Sequence, residues 1–97
     1  MINRNIELGY GTVTKDAMQD RTLTIEAKAI YAYLCSFAGG KDEAWPSIKK
    51  ICYDLVISEN RMRKHLNVLI STGYIERSRR RFANSKQWAS NVYEILQ

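Results

Sequence analysis

Apolar side chains recur at helical spacing in three successive stretches, after which the period changes to two. Ala27, Ile30, Tyr33, Leu34 and Phe37 form one face of a predicted first core helix over 24–38. Thr24 stands where an N-cap hydroxyl takes up a first-turn N–H, and Glu26 suits the positive end of the helix dipole. Gly39-Gly40 closes the helix, since glycine accepts the left-handed conformation found there. Ile48, Ile51, Cys52 and Leu55 mark a shorter helix within 47–56, begun by Ser47 after Pro46 and ending near Leu55 or Val56. Ser58 caps a third helix over 58–72, in which Met62, Leu66, Leu69 and Ile70 make the buried stripe. Ile57 is placed to staple against Met62, and Gly73 ends the helix. Two segments rich in β-branched and aromatic residues, Tyr74–Arg79 and Gln87–Leu96, then flank a polar loop and predict an antiparallel hairpin over 74–96. In its second strand Asn91, Tyr93 and Ile95 are expected on one face, Val92 and Glu94 on the other. Ahead of these elements, residues 1–13 read as an extended, partly apolar lead-in, and Thr14 caps a short helix to about Gln19 that Asp20-Arg21-Thr22 breaks. Lys41-Asp42-Glu43 reads as a polar loop.

Helix, short helix, tight turn, helix, hairpin is the order of a winged helix-turn-helix: mainly α with small β, a three-helix core plus a C-terminal β-hairpin wing. With 97 residues, the chain is expected to be a single domain, 1–97, with one modest core. No apolar run approaches the length that crosses a bilayer, and Met1-Ile2-Asn3-Arg4-Asn5 lacks the apolar stretch of a secretory signal. A cytoplasmic location and no membrane partner are therefore expected. Cys35 and Cys52 stand alone inside apolar helical patterns, and there is one histidine, so no zinc site can be assembled. The cysteines read as reduced packing residues, with a disulfide between them as the alternative. No cofactor and no metal are expected. One histidine, no glycine-rich phosphate loop and no convergent carboxylate pair also argue against an enzyme.

Charge sharpens the picture because it is unevenly placed. Residues 1–46 carry five basic and six acidic side chains, whereas residues 47–97 carry ten basic against four acidic. The excess falls on the third helix and the hairpin, the footprint expected of a polyanion binder. Opposite the core stripe of the third helix lie Asn60, Lys64, Asn67 and Ser71, flanked by Arg61 and Arg63. Arg and Lys donate to guanine edges and Asn makes a two-point contact with adenine, so this face is suited to the major groove of double-stranded DNA. A solvated helix face is the plainer reading, but the acidic counterweight is Glu59 alone. His65 reads as packing or a phosphate contact. Ser47, Lys49 and Lys50 at the start of the second helix, and Ser58 at the start of the third, are candidate phosphate contacts. Arg77, Arg79, Arg80, Arg81 and Lys86 cluster in and around the hairpin loop as candidate wing contacts, with an edge strand protected by charge as the alternative. Phe82 and Trp88 flank the loop, and Tyr10 and Tyr31 are exposed aromatics able to pack or to form a homodimer contact.

Gly9-Tyr10-Gly11, the run from Leu23 to Leu34, Ser36-Phe37-Ala38-Gly39, Trp45-Pro46-Ser47, Asp54-Leu55, Ile57-Ser58, Gly73-Tyr74-Ile75 and Ser90-Asn91-Val92-Tyr93 carry a resemblance over nearly the whole chain. It resembles the N-terminal winged-helix domains of replication initiators from phages and plasmids of low-GC Gram-positive bacteria, the RepA-type and DnaD-like replisome organiser proteins. That resemblance implies binding to origin DNA and recruitment of replication proteins. A transcriptional repressor built on the same domain, or a winged helix that binds protein, are the other readings. The basic second half counts against the protein-binding one.

Overall fold

Helix starts in this chain are set by hydroxyls. In the computed structural model, which describes residues 11–39, 43–44, 46–81 and 88–96, each helix begins where a Ser or Thr accepts a first-turn N–H. Helix α1 is Lys15–Gln19, capped by Thr14 through the N–H of Ala17 at 3.4 Å. Helix α2 is Ile25–Ala38, with Thr24 Oγ1 accepting from Ala27 at 3.1 Å. Helix α3, Ile48–Leu55, starts at Ser47, whose Oγ accepts from Lys50 at 3.0 Å. Helix α4, Glu59–Ser71, starts at Ser58, which accepts from Arg61 at 3.3 Å. A cap of this kind contributes about 1 kcal/mol to its helix.

Two helix ends share one device. After α4, Gly73 adopts φ 89 while its N–H bonds to Ile70 and that of Tyr74 to Leu69, so the last carbonyls are satisfied. After α3, the N–H of Ile57 reaches Cys52 at 3.1 Å in the same way, but the left-handed residue is Val56, at φ 54 and ψ 55. A side chain with a Cβ costs about 1–2 kcal/mol in that conformation.

Helix α2 is the centre of the core and touches α1, α3, α4 and the sheet. Its buried positions are Ala27, Ile30, Tyr31, Leu34, Cys35 and Ala38. The expected face, which included Phe37 and left Tyr31 outside, is thus rotated. Tyr31 is 1% exposed and stacks edge-on against Tyr74 at 5.6 Å, whereas Phe37 is 46% exposed and rests beside the Tyr33 ring. The reason lies in α2's central place: elements pack on several sides of it, so a broad arc is covered rather than a narrow stripe. Gly11 closes one side, so near the last turn of α2 that a Cβ there would overlap the Cys35 carbonyl. Met62, Leu66 and Leu69 of α4 and Ile51 of α3 complete the helical core. Cys35 and Cys52 are both free thiols, and burial pushes both upward in pKa.

The sheet has three strands in the order β1-β3-β2, all antiparallel. Strand β1 is Glu43–Ala44, β2 is Ile75–Arg81 and β3 is Trp88–Ile95. Glu43, expected in a polar loop, pairs instead with Glu94. A two-residue strand has no period for a sequence to display, and its pairing is set by β3, far along the chain. Tyr93 and Ile95 are buried and Glu94 exposed, as alternation predicts, but Val92 is buried as well, so the sheet is covered on both faces there. The readings of residues 1–10, Gly40, Lys41, Asp42, Trp45 and Phe82 fall outside the described residues.

Candidate nucleic-acid interface

Helix α4 carries the five residues expected to read DNA from a helix, Asn60, Arg61, Arg63, Lys64 and Asn67. At 100° per residue Asn60, Lys64, Asn67 and Ser71 fall along one line, opposite Met62, Leu66 and Leu69, and all four are exposed. Arg63 flanks that line, is exposed and makes no ion pair among the described residues. Lys64 is likewise unpaired there. Packing of the opposite face onto α2 holds the stripe outward on a rigid helix.

Arg61 is placed differently. Its guanidinium Nη2 lies 2.9 Å from Glu26 Oε2 on α2, so Glu59 is not the only acid facing the basic residues of α4. That guanidinium, together with the backbone N–H of Glu26 and nearby His65, holds the Glu26 carboxyl below the ordinary carboxylate range. His65 belongs to the same junction. It is 7% exposed, with Nδ1 2.9 Å from Thr24 Oγ1 and Nε2 3.5 Å from Glu26 Oε2. It is a packing residue that fixes α4 on the start of α2, and its burial removes it from phosphate contact. Thirty-five residues separate Glu26 from Arg61, and no local pattern announces such a pair.

The start of α3 divides in a similar way. Lys49 is exposed and unpaired among the described residues. Lys50 is committed to Asp54, at 3.1 Å one turn on, and Asp54 also accepts from the Tyr33 hydroxyl at 2.6 Å. The Tyr33 hydroxyl first, then Lys50, draw the Asp54 carboxyl below its usual range, while burial first and Asp54 second push the Tyr33 phenol up. The Lys50–Asp54 spacing was readable as an i, i+4 pair. Ser47 and Ser58 are exposed, each with its hydroxyl oxygen already accepting a helix N–H.

In the wing, Arg77 is exposed and sits opposite Tyr93. Arg80 and Arg81, read as loop residues, are strand residues paired with Ser90 and Trp88. The register slips between them, leaving Ala89 with no opposite residue. Repeated arginine gives no strand signal; the ladder to β3 extends β2 to Arg81. Lys86 and the side chains of Arg79, Arg80, Arg81 and Trp88 fall outside the described residues.

Two exposed side chains beside this surface went unnoticed in the sequence. Tyr53 is 82% and Val56 88% exposed. Tyr53 was detectable, since it falls outside the helical spacing of Ile48, Ile51, Cys52 and Leu55. Among the described residues no group of His, Cys, Asp and Glu is arranged to hold a metal, and no helix is long and apolar enough to cross a membrane.

Two capped helices joined at a left-handed residue, with a polar stripe on the second and a strand pair behind, define a winged helix-turn-helix. Residues 21–75 match a helix-turn-helix domain family, more than half of the chain, and the protein belongs to that family. The match runs from just ahead of α2 to the first residue of β2. No curated protein and no solved structure matches the chain. Helix-turn-helix domains dock the second helix of the motif in the major groove of DNA.

Proposed function

We propose that this protein binds double-stranded DNA sequence-specifically, without catalysing a reaction, as the origin-binding domain of a phage or plasmid replication initiator. The observation that carries the DNA reading is the single exposed line of Asn60, Lys64 and Asn67 with Arg63 beside it, on a helix whose other face is locked into the core. Asn60, Lys64 and Asn67 have the donors and acceptors that read base edges, and Arg63 beside them is the proposed phosphate contact of α4. Lys49, Ser47 and Ser58 lie at helix starts, where phosphate oxygens are favoured. Arg77, Arg79, Arg80, Arg81 and Lys86 are the proposed backbone contacts of the wing.

The origin-binding role is supported by the resemblance to replication initiators. Two of the stretches that carry it meet in space, where Gly11 packs on Cys35 and Ser36. Replication proteins are then the expected further partners. Selection from a random pool of duplexes should enrich one motif, and Asn60→Ala or Lys64→Ala should change which motif is enriched. A pool that emerges unenriched would remove the sequence-specific reading. A footprint over a replication origin is expected; one confined to promoters would move the assignment to a transcriptional regulator.

A further inference from the structure

Folding does not account for two side chains at the turn between α3 and α4. Val56 holds a left-handed conformation that is strained for a β-branched residue, and its isopropyl group, 88% exposed, buries nothing in return. Glycine would make the same turn without that strain. Tyr53, three residues earlier, is 82% exposed. The two side chains border a shallow open concavity of about 780 Å³ that Cys52 and Ile57 also line.

The position of that edge follows from the rest of α3. Lys50 and Asp54 form the edge turned to α2, through the Tyr33–Asp54 hydrogen bond. Ile51 faces the core. On the other side Cys52 lines the concavity with Ile57, which leads into Ser58 and the start of α4. Lys49 and Tyr53, at i and i+4, come next around the helix, and Val56 borders the same concavity as Tyr53. Their edge therefore leads through Val56 and Ile57 into the first turn of α4, where the exposed line begins at Asn60. Its own ends are Lys49, unpaired among the described residues, and the start of the recognition helix. The acid of the concavity, Asp54, is already neutralised by Lys50.

We propose that Tyr53 and Val56 are DNA contacts, the duplex backbone crossing this edge with the Tyr53 hydroxyl on a phosphate and Val56 against a deoxyribose. This rests on the assignment of α4 as the recognition helix. The surplus strain at Val56 is then offset only in the complex.

Anisotropy titration with a labelled mixed-sequence duplex, from about 50 to 200 mM salt, tests both layers separately. Tyr53→Ala should weaken binding about five- to tenfold and Val56→Gly about threefold, neither changing the salt slope, because neither removes a charge. Val56→Gly should at the same time raise Tm, a combination that a merely structural role does not produce. A salt-insensitive wild type would overturn the α4 assignment and this contact with it. A salt-sensitive wild type matched in affinity by both variants would overturn the contact alone. The same holds if the variants keep DNA affinity and lose self-association in sedimentation.

Discussion

Arg61 and Arg63 stand two residues apart on one helix and are indistinguishable in the sequence, yet they do opposite things. Two residues turn the helix by about 200°, which sends one to each flank of the exposed line. Arg61 meets Glu26 at 2.9 Å and, with His65 and Thr24, fastens α4 to the start of α2. Arg63 meets no acid among the described residues and stays exposed. One flank is closed and holds the helix in place; the other is open and available. A count of positive charges therefore overstates the binding surface, because some cations are spent on architecture.

Several substitutions can break or sharpen that contrast. The largest effect is expected on the open line: Lys64→Ala or Asn60→Ala should lower affinity for the preferred duplex by about 1–3 kcal/mol and relax specificity at one position. Neither should move stability by more than about 0.5 kcal/mol, since both side chains are exposed. Next, Val56→Gly should stabilise the fold by about 1 kcal/mol, seen as a rise in Tm of about 4–8 °C. On the closed flank, Glu26→Gln should lower Tm, with the loss fading at high salt, whereas Arg63→Gln should leave Tm unchanged; equal effects would erase the distinction.

A second junction, between the turn ahead of α2 and Tyr74 past the end of α4, should show in the pH dependence. Asp20 accepts from both the hydroxyl and the N–H of Thr22 and from the Tyr74 hydroxyl, which draw its carboxyl from 3.8 down to about 2. Its folded pKa is depressed, so its contribution is full above pH 3.8 and is lost as pH falls toward 2. Tyr74 is pushed up from 10.0 to about 12, chiefly by that hydrogen bond, so its contribution is full below pH 10.0 and is lost as pH rises toward 12. Asp20→Asn should flatten both arms in a thermal-melt series. The smallest change belongs to the sheet, where Glu94 stands opposite both Glu43 and Glu76. Glu94→Lys should gain about 0.5 kcal/mol in denaturant melts without touching either flank.

What could be read in advance was whatever the chain settles locally. Thr14, Thr24, Ser47 and Ser58 act within three residues of themselves, so all four helix starts were visible. The stripe of α4 follows from periodicity alone. What escaped depends on partners remote in sequence. Tyr31 rather than Phe37 is buried because several elements close around α2. Glu26 takes Arg61 across 35 positions. β1 exists only because β3 accepts it, and β2 runs on to Arg81 because β3 continues opposite it. Val56 offers the opposite lesson: the helix end was expected near it, but a β-branched residue carries no local sign that it will take the left-handed conformation.

The salt dependence of duplex binding, measured for the wild type, Arg63→Ala and Arg61→Ala side by side, tests the contrast most directly. Each phosphate-contacting cation contributes about 0.9 to the slope of log K against log salt. The wild type should give a steep slope, Arg63→Ala should lose about 0.9 of it, and Arg61→Ala should keep the slope while losing thermal stability. A flat wild-type slope, or equal losses of slope from both arginines, would contradict the account.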